Sequence, residues 1–458
     1  MDALASDGII LNNYYVQPLC TPSRAALMSG LYPIHTGMQS LVIQTAEAWG
    51  FPLDVKLMPQ YFKDLGYATH MVGKWHLGYM DDEYTPTYRG FDSFYGYYNG
   101  EEDYYNHTLK EGDHSGLDLW QGVDNVANET GHYSTTLFTE KAVSLIKTHN
   151  SSKPFFLYLS HQAPHGGVEV PLAAPQKNIE KFPYIQEENR TIYAAMVDSL
   201  DESVGAVVEA LHQARMLDNA ILVFSSDNGG VPWGEHASRG CNWPLRGSKG
   251  SLWEGAARAA AFLWSPLAAR GRRVSQQLMH VSDWLPTLYS AAGGDAAGLE
   301  HLDGFDMWRH LSQDLPSPRT DILYNIDPVA NIAALRNLDY KLVLGNAFGG
   351  RYDQRLPVPG GPRPCADLDE LASSSKAGEV LRRFYNVSRI DLPSQWRVRA
   401  TLQCGQGDGE DTNFVSGKPP YLFNLANDPC ELHNLADTET EVCLRAKTAE
   451  QWLALQRD

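Results

Sequence analysis

Residues 220–230 read Ala220-Ile221-Leu222-Val223-Phe224-Ser225-Ser226-Asp227-Asn228-Gly229-Gly230, an apolar run followed at once by small polar residues. The run has the length and composition of a β-strand, and its unbroken apolar character suits a sheet covered on both faces. Residues 191–216 precede it as the clearest helix, with Met196, Leu200, Val204, Val207, Val208 and Leu211 along one stripe. The same grammar recurs upstream. A helix over 58–64, closed by Gly66, leads into a strand over 67–72. A helix over 136–147, with Phe138, Ala142, Leu145 and Ile146 on one face, leads through Pro154 into the strand Phe155-Phe156-Leu157-Tyr158-Leu159. Strands alternating with amphipathic helices predict an α/β fold, with a large, mostly parallel sheet between helices.

The polar residues gather where these strands end. Gly73-Lys74-Trp75-His76 follows the first, Ser160-His161-Gln162-Ala163-Pro164-His165 the second, and Ser225-Ser226-Asp227-Asn228 the third. Ligands of open α/β sheets bind outside the carboxyl ends of the strands. If the strands are parallel, Lys74, His76, His165, Asp227 and Asn228 converge. Cys20-Thr21-Pro22-Ser23-Arg24 reads as a helix start, with Thr21 as N-cap and a stop at Gly30. A helix N-terminus attracts an oxyanion, and Arg24 in its first turn adds a charged donor. Taken singly, each feature has a plain alternative: a small buried cysteine, a tight Asp-Asn-Gly-Gly turn, a loop with a stacked Trp75. Their shared placement at strand ends favours a site.

The 458 residues exceed what one core usually supports, so a large domain and a smaller one are expected. We read 1–320 as the larger and 321–458 as a smaller α+β domain. In the latter, short strands near 322–324, 333–336 and 340–344 precede a loop-rich insertion at about 350–418. Within it, 356–376 reads as loop, and a terminal helix is expected over 439–455. The net charge of −18 argues against a nucleic-acid partner. An anionic substrate would need a local basic spot. No apolar run approaches the ~20 residues of a membrane span; the longest candidate, 256–269, is interrupted by Arg258 and Pro266. N-x-Ser/Thr sequons at Asn106, Asn128, Asn150, Asn189 and Asn386 point to a glycoprotein. Cys365, Cys404, Cys430 and Cys443 allow two bridges of undetermined pairing in the tail, with buried free thiols as the alternative.

These motifs resemble the type I sulfatases, within them the arylsulfatase B-like (N-acetylgalactosamine-4-sulfatase-like) group. Cys20-Thr21-Pro22-Ser23-Arg24, continued by Leu31-Tyr32-Pro33 and Thr36-Gly37, matches the first family signature, and Val72-Gly73-Lys74-Trp75-His76-Leu77-Gly78 the second. Arg89-Gly90-Phe91-Asp92, Glu102-Asp103-Tyr104-Tyr105, Asn242-Trp243-Pro244-Leu245-Arg246-Gly247 and Ser282-Asp283-Trp284-Leu285-Pro286 are subgroup-like. The resemblance implies the alkaline phosphatase/sulfatase-like fold and hydrolysis of sulfate esters, on sulfated sugars such as glycosaminoglycans or on aryl sulfates. It implies a formylglycine made from Cys20 by the formylglycine-generating enzyme, one Ca²⁺ per chain, and a lysosomal or secreted location.

By position, the resemblance assigns Cys20 as nucleophile precursor and Lys74 and Arg24 as holders of its hydrate. His76 becomes the base for sulfate release, His165 the acid for the leaving oxygen, and Lys249 a sulfate contact. Asp227, Asn228 and the modified Cys20 become metal ligands. His161 is treated as a neighbour, and His35, His70 and His280 as packing or surface residues. The family's first strand, ending in an Asp-Asp pair, has no counterpart between Met1 and Cys20. The sequence therefore predicts a sheet short of one strand and a metal site short of ligands, as an incomplete copy of a secretory sulfatase or as a truncated, inactive homologue that binds sulfated glycans. A phosphoesterase or phosphonate hydrolase on the same fold is the remaining alternative; Cys20 in place of Ser or Thr argues against it.

Overall fold

The computed structural model describes residues 1–234, 237–299, 301–357, 367–388, 395–404 and 412–441. Strands and helices alternate as the apolar periodicity requires. In the first of two large sheets, Ala68–Lys74 is central and runs parallel to Ser93–Tyr97 on one side and to Phe155–Ser160 on the other. Trp120–Gln121 and Asp124–Asn125 extend its far edge antiparallel. The second sheet has the order Leu222–Ser225, Ala261–Trp264, Ile9–Leu11, Arg273–Ser275. Ala261–Trp264 is antiparallel to both neighbours, so the other three strands share one direction.

Helices cover both faces. Cys20–Ser29, Met58–Asp64 and Trp284–Ala291 bury Ala25, Met28, Met58, Phe62 and Leu285 against one face. Ser134–Thr148, Glu188–Gln213 and Lys376–Tyr385 bury Ile146, Val208, Leu211, Val380 and Leu381 against the other. The strand residues alternate accordingly: Phe156, Tyr158 and Ile221 join the first apolar layer, Phe155, Leu222 and Phe224 the second.

An antiparallel sheet of Asp321–Asp327, Ile332–Asn337, Tyr340–Leu344 and Tyr421–Asn424 follows. It is fastened through Lys341, whose Nζ lies 3.0 Å from Glu254 Oε1 and 2.7 Å from Glu431 Oε1, all three side chains fully buried. Within the 356–376 stretch, the described residues 367–374 depart from the loop reading. Asp367 accepts from the Asp369 and Glu370 N–H groups and so caps a helix, Leu368–Ser374. Most of the expected 439–455 helix lies outside the described residues.

Cys404 and Cys430 are disulfide-bonded, and Cys365 and Cys443 lie outside the described residues. None of the five sequon asparagines is buried; Asn128, Asn150 and Asn386 are exposed. No helix of the described residues is long and apolar enough to cross a membrane.

Candidate active site

The helix that carries the cysteine starts two residues earlier than the Thr21 capping pattern suggests. Leu19, in extended conformation, is the N-cap without a side-chain bond, and Cys20 is the first helical residue; Gly30 closes the helix with φ 72°. Thr21 Oγ1 instead donates to the His76 carbonyl at 3.1 Å, tying the helix start to the second motif. Cys20 is buried, with Sγ 3.4 Å from Asn228 Oδ1.

Arg24, one helical turn on, organises the pocket. Its Nε and Nη2 donate to Asp227 Oδ2 at 3.1 and 2.8 Å, and its Nη1 donates to Ser160 Oγ at 2.6 Å and to the Lys74 carbonyl at 2.9 Å. One guanidinium thus joins the carboxyl ends of three strands, which sit on two sheets. The fork geometry of arginine permits this; an ammonium could not match it. Burial works to raise the Asp227 carboxyl, but the charges of Arg24, Lys74 and Lys249 prevail and hold it at about 2. Burial, with Arg24 and Lys249, lowers the Lys74 amine, partly offset by Cys20 and Asp227.

Gly73 allows the strand to deliver Lys74: its φ is +104°, and a Cβ there would stand 2.0 Å from the Ser160 carbonyl oxygen. His76 follows with φ 63° and is buried. Its Nε2 bonds the Ile43 carbonyl at 3.0 Å, while Nδ1 has no hydrogen-bond partner among the described residues. Burial first, then the charges of Lys74 and Arg24, lower its pKa well below the ordinary range, so the ring is neutral and Nδ1 is an open acceptor.

The remaining pair sits opposite. Lys249 Nζ lies 3.0 Å from His165 Nε2, and His165 Nδ1 is 2.9 Å from the Gly166 carbonyl and 3.6 Å from Glu101 Oε2. With Lys249 donating to Nε2, His165 carries its proton on Nδ1. His161, treated as a neighbour from sequence, bonds Ser203 Oγ through Nε2 at 2.8 Å. His280 and His70 bond Ser282 and Ser93, and His35 pairs with Asp303, all packing roles.

The sequence reading missed Ser160, which anchors Arg24, and Gly100, whose absent side chain makes room for His76. A Cβ at Gly100 would lie 2.8 Å from His76 Cε1. Ser160 is the last residue of its strand, a signal that was available; Gly100 stands two residues before the Glu102-Asp103-Tyr104-Tyr105 stretch, and nothing local ties it to His76.

Parallel strands between helical layers, with a cationic pocket at their carboxyl ends built around a helix-first cysteine, are the arrangement of the alkaline phosphatase-like α/β fold. The Sulfatase family model matches residues 1–294. Mouse arylsulfatase J is 45% identical over 457 residues, covering 95% of this chain and 68% of that protein. Human N-acetylgalactosamine-6-sulfatase is 29% identical, covering 71% of this chain and 63% of that protein. Among solved structures, Ps i-CgsB in complex with k-i-k-neocarrahexaose aligns with a TM-score of 0.75 at 25% identity, over all of this chain and 87% of that one. The chain belongs to the sulfatase family, enzymes that hydrolyse sulfuric esters. It spans about two thirds of the length of these curated relatives.

Calcium requires six to eight oxygen ligands. Asp227 and Asn228 offer side-chain oxygens here, but Asp227 Oδ2 is taken by Arg24, and three cations surround the carboxylate. Among the described residues no group of three or more acidic, His or Cys side chains could hold a metal ion. The residues present do not fit a calcium ion.

Proposed function

We propose that this protein hydrolyses sulfate esters on sulfated sugars, using an aldehyde made from Cys20 by the formylglycine-generating enzyme. The observation that carries this reading is the placement of Cys20 at the helix start, 3.4 Å from Asn228 and within the field of Arg24 and Lys74. The hydrated aldehyde supplies one hydroxyl to attack sulfur and a second whose deprotonation expels sulfate.

The chain's own residues fill the other roles. Lys74 and Arg24 hold the hydrate, and the helix N-terminus and Lys249 receive sulfate oxygens. A sulfate oxygen that draws Lys249 away frees His165 Nε2 to take a proton from water and deliver it to the leaving oxygen, while the attacking hydroxyl releases its own proton to water. His76, neutral and open at Nδ1, accepts the proton from the second hydroxyl. The printed substrates of the relatives favour a sulfated galactosamine or a related polysaccharide unit, and the sequons favour a lysosomal or secreted location. We assign the chemistry to residues 1–320.

The test is turnover of a chromogenic aryl sulfate after co-expression with the formylglycine-generating enzyme. Turnover lost in Cys20→Ala supports the reading. The engaged Asp227 carboxylate favours one second reading, a homologue that binds sulfated glycans without cleaving them. Glycan binding with no turnover, even when mass spectrometry finds the aldehyde at residue 20, decides for it.

A further inference from the structure

His165 sits in a turn that its own side chains do not hold. Residues 161–175, between Phe155–Ser160 and the short helix Gln176–Ile179, pair with no sheet. Just beyond His165 the chain runs at the surface: Glu169 and Pro171 are exposed and Val170 is 53% exposed. A buried carboxylate holds this backbone instead. Asp103 Oδ1 accepts from the N–H groups of Val168, Glu169 and Val170, at 3.0, 3.0 and 3.1 Å. Asp103 is 2% exposed, and its own backbone is tied at both ends, its N–H donating to the Thr108 carbonyl and its carbonyl accepting from the His107 N–H, each at 2.9 Å. Gly167 fits the turn to the carboxylate. Its N–H closes onto the Pro171 carbonyl at 3.0 Å, and a Cβ there would stand 2.8 Å from Asp103 Oδ1. Two neighbours of Asp103 reinforce the tie: the Glu102 carbonyl accepts from Gln162 Nε2 at 2.6 Å, and the Tyr104 hydroxyl donates to the His165 carbonyl at 2.8 Å.

Resting on the sulfate-ester reading, in which His165 protonates the leaving oxygen, we propose that Asp103 is the positioning residue of that acid. It touches neither substrate nor the imidazole; it acts through the backbone, by fixing the turn that aims His165 Nε2. Three amides on one ionised oxygen make a charge-assisted cluster that water cannot reproduce with the same geometry. Without it, the turn loses three of its anchors and His165 its fixed aim. Proton delivery depends steeply on that aim, because the acid must lie within hydrogen-bond reach of the oxygen it protonates. Asp103 Oδ2 is buried with no hydrogen-bond partner among the described residues. An asparagine, which keeps the accepting oxygen, should therefore preserve the tie, and an alanine should not. The chemical signature is specific. An acidic phenol leaves unaided, whereas a weakly acidic one needs the proton, so loss of aim should show in proportion to the basicity of the leaving group.

The test compares the parent, Asp103→Ala, Asp103→Asn and His165→Ala, each co-expressed with the formylglycine-generating enzyme, on a series of aryl sulfates from para-nitrophenyl to para-methoxyphenyl. His165→Ala should lower kcat about a hundredfold on the para-methoxyphenyl ester and less than about threefold on the para-nitrophenyl ester. Asp103→Ala should follow the same pattern, with losses of about tenfold and less than about threefold, and KM within about twofold. Asp103→Asn should stay within about threefold of the parent across the series. Gly167→Ala, which keeps Asp103 but presses the turn off its carboxylate, should give the same split as Asp103→Ala and is the variant to read if that protein folds poorly. Hydrogen exchange supplies a readout without turnover: the amides of Val168, Glu169 and Val170 should exchange at least about tenfold faster in Asp103→Ala, near parental in Asp103→Asn, with Ala68–Lys74 unchanged in both. Equal losses on all esters, parental rates on all, or unchanged exchange at 168–170 in Asp103→Ala would overturn the proposal and leave the sulfate-ester reading standing. No turnover by the parent, or no dependence on the leaving group in His165→Ala, would overturn that reading and the proposal with it.

Discussion

Replacing Arg24 by Met tests the reading that one guanidinium knits the pocket. The change removes two bonds to Asp227, one to Ser160 and one to the Lys74 carbonyl, while keeping most of the side-chain volume. Breaking a buried pair by deleting one partner costs about 3–5 kcal/mol. Here Asp227 keeps 31% exposure and still faces Lys74 and Lys249, so screening reduces the loss. Its carboxyl lies at about 2, below the ordinary 3.8, and that interval amounts to about 2 kcal/mol, of which Arg24 is the largest favourable contributor. The orphaned Ser160 hydroxyl and Lys74 carbonyl add about 1–2 kcal/mol. The sum is about 3 kcal/mol. With an unfolding entropy of roughly 1 kcal/mol/K for a chain of this size, Tm should fall by about 3 °C. Arg24→Lys should recover about half of that, because an ammonium cannot serve all three strand ends. Linkage gives a second readout. A depressed carboxyl contributes stability that is present above about pH 4 and lost between 4 and 2. Parent stability should therefore fall steeply across that window, and Arg24→Met should fall less. Differential scanning calorimetry over pH 2–7 measures both. A Tm of Arg24→Met within 1 °C of the parent at pH 6, with an unchanged acid limb, would refute the reasoning.

Other consequences follow from the same structure. Lys341→Met should strip the shared cation from Glu254 and Glu431, both fully buried, and cost about 4 kcal/mol in urea unfolding, the largest single loss among these variants. Gly100→Ala should displace the His76 ring and lower aryl sulfate turnover by more than tenfold, while thermal stability moves by less than 1 kcal/mol. Glu102 is buried against His107; burial raises the Glu102 carboxyl to about 7, and Glu102 raises His107 against its own burial. The folded pair therefore holds more protons than the unfolded chain between about pH 4.5 and 7, so stability should decline by about 3 kcal/mol as pH rises through that interval. Glu102→Gln should flatten the slope. Cys404→Ser opens a loop of 26 residues' separation and should cost about 3.5 kcal/mol, matched by reduction of the parent protein.

The elements and the candidate chemistry were legible in the chain itself. Helical and strand periods in residues 58–72, 136–159 and 191–224 are local signals, because amphipathic packing imposes them residue by residue. Polar residues after each strand marked the carboxyl ends where a pocket can form. Asp367 was the exception. Its capping of Leu368–Ser374 depends on one side-chain bond inside a stretch whose composition reads as loop.

Tertiary structure decided the contacts between distant segments. Arg24 is a first-turn cation in the sequence; only the convergence of three strand ends makes it the tie between Ser160, Lys74 and Asp227. Lys249 meeting His165, and Gly100 yielding space to His76, join residues 84 and 24 positions apart in the chain.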